Sequence, residues 1–78
     1  MALLRLFGPA REAAGVASVT LPGPTVSAVI VAAEERFGES FSRIVGVSNI
    51  WLNGHAVEPD TQVRDEDEVA VIPPVSGG

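Results

Sequence analysis

Val26, Val29, Ile30, Ala33 and Phe37 stand at i, i+3, i+4, i+7 and i+11. At 100° per residue they fall within about 60° either side of one line, which predicts a single amphipathic helix with one core-facing stripe. Thr25 stands where a hydroxyl can accept an orphan amide hydrogen at the helix start. Gly38 supplies the left-handed residue that commonly closes a helix. Pro22-Gly23-Pro24 lies immediately upstream and removes ladder donors, so any strand before it must end there. The same prolines break the uncharged run Val16 to Ala33, which therefore does not span a membrane as one helix. One short helix cannot make a core alone, so the remaining apolar residues must supply the surface it packs on.

They do so with the alternation of strands. Ala2-Leu3-Leu4-Arg5-Leu6-Phe7 places Leu4 and Leu6 on one face and Leu3, Arg5 and Phe7 on the other. Gly8-Pro9 reads as a stop, and Arg11 to Gly15 as a connection. Val16 to Leu21 reads as a second strand, a hairpin partner of the first. After a less regular stretch, Phe41 to Val47, comes a strand Ser48 to Leu52. Asn53-Gly54 follows, the favoured pair for a two-residue type I′ hairpin because both positions need positive φ. His55-Ala56-Val57 is the return strand, Glu58 to Thr61 turns, and Arg64 to Asp67 leads into a final strand, Glu68 to Ile72. Pro73-Pro74 ends it in an extended conformation.

Two hairpins around one helix give an α+β fold. The predicted architecture is a mixed four- to five-stranded sheet with one main helix on one face, first and last strands parallel at the centre. This is the β-grasp plan. The 78 residues form a single domain, with 73–78 as an extended C-terminal tail.

The chain has no cysteine and one histidine. Disulfides, iron–sulfur clusters and thiolate zinc sites are excluded, and no metal site is expected. The core must hold the fold unaided, with an expected stability of roughly 4–12 kcal/mol at 0.05–0.15 per residue. A net charge of −5 argues against nucleic acid and favours partners with basic clefts. All five cations are arginines, which prefer planar, bidentate partners. Met1 to Phe7 is too short for an export signal, and Arg5 interrupts it, so a cytoplasmic location without membrane association is expected.

Catalytic templates fail. The six acids from Glu58 to Glu68 fall in or beside turns, as a solvated charge run does, and His55 follows a hairpin turn. No phosphate-binding glycine loop occurs. No catalytic residue is assigned. What stands out is the carboxyl end, Pro73-Pro74-Val75-Ser76-Gly77-Gly78, stiff at its root and without side chains at its tip. Glycine allows close backbone approach, and the only reactive group is the α-carboxylate of Gly78. A frayed terminus is the plain alternative.

The segment Asp67 to Gly78 resembles the tail of the molybdopterin synthase small-subunit family, which are ubiquitin-like sulfur carriers. Phe7-Gly8-Pro9-Ala10-Arg11-Glu12-Ala13-Ala14-Gly15 resembles that family's Phe-x-x-x-Arg-Glu-x-x-Gly element, and Leu52-Asn53-Gly54 its central hairpin. Glu66 departs from the glycine usual before Asp-Glu-Val. The resemblance implies that an E1-like adenylating enzyme, using ATP and magnesium, activates Gly78. Sulfur from a donor enzyme then gives a thiocarboxylate. The tail enters the large catalytic subunit, in a heterotetramer, and donates sulfur to cyclic pyranopterin monophosphate. This chain would be the non-catalytic sulfur-donor subunit and would bind no cofactor itself. A carrier for thiamine thiazole or cysteine synthesis, a non-covalent ubiquitin-like module, and a covalent protein tag are the alternatives.

The partner surface expected from the alternation is Phe7 and Ile72, neighbours on the sheet face opposite the helix, with Trp51 on the same face. Otherwise these side chains complete the core. Arg11, by resemblance, pairs with an acidic or backbone group on a partner, unless it is simply a solvated arginine.

Overall fold

The computed structural model describes residues 1–74. Five strands form one mixed sheet: β1 (Ala2–Leu6), β2 (Ser18–Leu21), β3 (Asn49–Leu52), β4 (His55–Ala56) and β5 (Glu68–Ile72). Their spatial order is β2-β1-β5-β3-β4. The first and last strands are parallel neighbours at the centre, Leu4 opposite Val69 and Leu6 opposite Val71. The alternation in the sequence is obeyed: Leu4, Leu6, Val69 and Val71 are all buried.

The helix carrying the stripe, α2, spans Val26–Phe37. Its Val26, Val29, Ile30 and Ala33 are buried, and Phe37, half-buried, packs against the same cluster. The Thr25 hydroxyl accepts from the Ala28 amide at 3.1 Å. The Asn53-Gly54 turn takes φ of 50° and 85° at its two central residues, as a type I′ hairpin requires.

Two helices depart from the sequence reading. Residues Gly8–Ala14 form α1, where a stop and a connection were expected. Pro9 sits in the first turn, where a missing amide hydrogen costs nothing, and three alanines follow. Ala10 is fully buried, and Gly15 closes the helix in the left-handed region. The stretch read as irregular is α3, Glu39–Val45. Gly38 joins it to α2, but not as the left-handed closing residue: its φ of 93° goes with a ψ of −169°. That region is essentially open to glycine alone, and it lets one residue end one helix and start the next. The Gly38 amide donates to the Glu34 carbonyl at 2.9 Å, and its carbonyl accepts from Ser42 at 3.1 Å. The joint is braced by Ser42 Oγ donating to Glu34 Oε2 at 2.6 Å. Phe41 packs tilted against Phe37 at 5.2 Å between ring centroids.

The acidic turn before β5 is built around Asp67. Its two carboxylate oxygens accept from the Arg64 amide at 2.8 Å and from Asn53 Nδ2 at 3.0 Å. Asn53 Oδ1 in turn accepts from the Glu68 amide at 2.9 Å. Together they tie the β3–β4 hairpin to the start of the central strand. Among the described residues Asn53 is the only non-glycine with positive φ, so Glu66 occupies the usual glycine position without backbone strain. The Arg64 amide, followed by the Asn53 amide, holds the Asp67 carboxyl below its ordinary value. A depressed folded pKa gives stability that is present above the unfolded value, about 3.9, and lost as pH falls through the folded one. Asp67→Asn should therefore flatten the decline in melting temperature below about pH 4. An unchanged acid limb in thermal scans would refute this role.

Candidate functional site

The central strand β5 is hydrogen-bonded on both sides, to β1 and β3, along its length. The β1 pairing runs to Leu6 and Val71, and β3 continues to the last residue of the strand, where Asn49 pairs with Ile72. Pro73 and Pro74 follow; without amide hydrogens they cannot continue the ladder. Pro73 is half-buried and Pro74 exposed. The chain thus leaves a rigid strand at a defined point. The expectations for Val75, Ser76, Gly77 and Gly78 lie outside the described residues.

Around that point the register collects the residues expected at a partner surface. Leu6 pairs with Val71, which sets Phe7 beside Ile72 on the face away from α2. Phe7 is 43% exposed and Ile72 half-buried. Trp51, opposite Ala70, lies on the same face and is 38% exposed. None of the three belongs to the buried core cluster. Arg11 is exposed on α1, whose first turn hangs from the Phe7 carbonyl through the Ala10 amide at 3.1 Å. The helix missed in the sequence is therefore what positions Arg11 relative to Phe7.

Sequence reasoning placed Arg5 on the outer face of the first strand but gave it no part in the partner surface. Arg5, Phe7 and Arg11, with Ser18, line one cleft of about 290 Å³. Arg5 pairs across the β1–β2 ladder with Ser18 and across β1–β5 with Ala70. Its Nε lies 3.4 Å from Glu68 Oε1. Its place on the strand facing away from the helix was legible from alternation; its meeting with Arg11 was not. A larger hollow of about 400 Å³ lies between α2 and the β3–β4 edge. Its one carboxylate, Glu34, is already bonded to Ser42. No group of three or more His, Asp or Glu side chains among the described residues is arranged to hold a metal. No helix among them is long and apolar enough to cross a membrane.

Residues 4–78 match the ThiS family. Comparison with curated proteins returns no match. Among solved structures, the chain is similar to small archaeal modifier protein 1 from Methanosarcina acetivorans, with a TM-score of 0.89 and 27% identity over 99% of this chain and 95% of that one. It is similar to a chain of the BexX/CysO complex from Amycolatopsis orientalis, with a TM-score of 0.85 and 25% identity over all of both chains. It is also similar to a chain of the complex of subunits 1 and 2 of the molybdopterin-converting factor from Helicobacter pylori. There the TM-score is 0.76, with 27% identity over 99% of this chain and 97% of that one.

Proposed function

The chain belongs to the ThiS family and is a sulfur carrier of the ubiquitin-like type, and from that premise we propose that it supplies sulfur for molybdopterin. The Gly78 carboxylate attacks the α-phosphorus of ATP on an E1-like enzyme with magnesium, forming an acyl adenylate and releasing pyrophosphate. Activation is needed because a carboxylate resists nucleophiles until its oxygen becomes a good leaving group. The terminal sulfur of a donor persulfide then displaces AMP, and reduction of the resulting S–S bond by a thiol leaves the thiocarboxylate. Inserted into the large catalytic subunit, it donates its sulfur to cyclic pyranopterin monophosphate. Acids, bases and cations for that step belong to the partner, and this chain contributes the nucleophile and its positioning.

The observation that carries this reading is the exit of the central strand at Ile72-Pro73, beside Phe7 on an uncovered sheet face. A partner that receives the tail must dock there. Similarity to a chain from the complex of molybdopterin-converting factor subunits 1 and 2 supports the choice of product, as does the diproline before Val-Ser-Gly-Gly. Similarity to a chain of the BexX/CysO complex favours a second reading, a carrier for another sulfur-containing product. Chemistry at Gly78 would be identical, so the partner separates the two.

Intact-mass measurement after incubation with an adenylating enzyme, ATP and a sulfur source tests the carrier. One oxygen replaced by sulfur is expected, and an unchanged mass would leave only a non-covalent module. Phe7→Ala should weaken association with the large subunit by about tenfold or more, as loss of a central aromatic anchor does. The melting temperature should hold, since Phe7 is 43% exposed. Equal affinity in calorimetry would remove Phe7 from the interface.

A further inference from the structure

We infer that Arg5 and Arg11 together grip one carboxylate of the protein that receives the tail, making Arg5 a specificity-determining residue of the docking surface. The inference rests on the reading of this chain as a carrier held by a partner at that end. The chain carries −5 overall, so its body favours a basic surface. Yet two of its five arginines line the same cleft, at the same end of the sheet as the strand exit.

Neither guanidinium is used up. Arg5 has one ion pair, through Nε to Glu68 at 3.4 Å, between side chains about half exposed. Arg11 has none among the described residues, and neither arginine donates a side-chain hydrogen bond there. Each guanidinium presents a planar fork that fits a carboxylate bidentately. Ser18, opposite Arg5 in the ladder, adds a hydroxyl at the cleft wall. Phe7 lines the same cleft, so the anion site is continuous with the apolar patch at Ile72. The occupant is an acidic side chain of the partner, set beside an apolar residue that covers Phe7. On a chain that is acidic overall, two arginines in one cleft give the carrier a local electrical asymmetry. A partner of complementary pattern receives it in one orientation, with the strand exit at its acidic spot.

Binding to the large catalytic subunit, measured by calorimetry, tests this with Arg5→Gln, Arg11→Gln and the double variant. Each single change should weaken binding about tenfold or more, because the desolvated partner carboxylate then keeps one guanidinium fork where it had two. A shared carboxylate makes the changes non-additive, so the double variant should be only a few-fold weaker than the worse single. Arg5→Lys should stay weak, lacking the fork. Glu68→Gln should bind as well as wild type. An unaffected Arg5→Gln, a fully active Arg5→Lys, strictly multiplicative losses, or an equal loss in Glu68→Gln would each overturn the inference. Should wild type itself fail to bind the large subunit, the functional reading falls first and takes this one with it. Thermal scans of the variants should match wild type, since exposed ion pairs contribute little to folding.

Discussion

Deletion of Gly78 should abolish sulfur loading and transfer while leaving the melting temperature of the domain at its wild-type value. The reacting carboxylate must stand at the end of a chain thin enough for a partner's active site to enclose. Without Gly78 the new terminus falls one residue short and no longer reaches the site that activates it. Replacing Gly77 by tryptophan should give a comparable loss by a different route. The carboxylate is retained, but an indole now accompanies it into a channel shaped for backbone, and adenylation or transfer should fall by orders of magnitude. Stability should be indifferent to both changes. The core cluster of the described residues is complete by Val71, and deletion of a terminal glycine removes no apolar side chain whose burial could stabilise the fold. A drop of several degrees in either variant would place the tail in the packed body and remove the basis for its role.

Phe41→Ala should be the most damaging change in the body, costing about 3–5 kcal/mol. Phe41 is 0% exposed and among the largest fully buried side chains. It anchors α3 in the hydrophobic core, and through Phe37, 5.2 Å away, it couples α3 to α2. Against an expected total of roughly 4–12 kcal/mol, that loss leaves much of the population unfolded at ambient temperature. Phe41→Leu keeps most of the volume and should cost less than about 1.5–2 kcal/mol, with a cooperative transition retained. Chemical denaturation of the two variants reads the difference, and near-equal midpoints would mean that α3 contributes little to the core.

The elements that were legible in the sequence share one property: their signal is local. The stripe from Val26 to Phe37 carries its own cap at Thr25 and reads as a helix whatever surrounds it. Asn53-Gly54 demands positive φ at two consecutive positions and so announces its hairpin. Alternation through Leu4 and Leu6, and through Val69 and Val71, assigned the buried face of both central strands. The two short helices carry no such signal. At seven residues each, α1 and α3 are too short to be stable alone, since nucleation is not repaid over so few hydrogen bonds. They exist because Ala10 and Phe41 are buried by the rest of the molecule. In the sequence Pro9 reads as a stop, because the same residue ends strands and begins helices, and only the packing of Ala10 distinguishes the two.

The amino-acid order alone determined the two-layer α+β plan and the buried face of the sheet. These follow from periodicity, turn chemistry and the inventory of side chains, all of which act over a few residues. The tertiary structure alone decided that Arg11 sits on a helix hung from Phe7. It also decided that Arg5, six residues earlier, faces the same cleft, on the β1–β2 side of the sheet end at which β5 exits. Those placements depend on the parallel register of strands more than sixty residues apart and on a helix stabilised by burial. Long-range pairing and packing are properties of the folded whole, and no short window of sequence contains them.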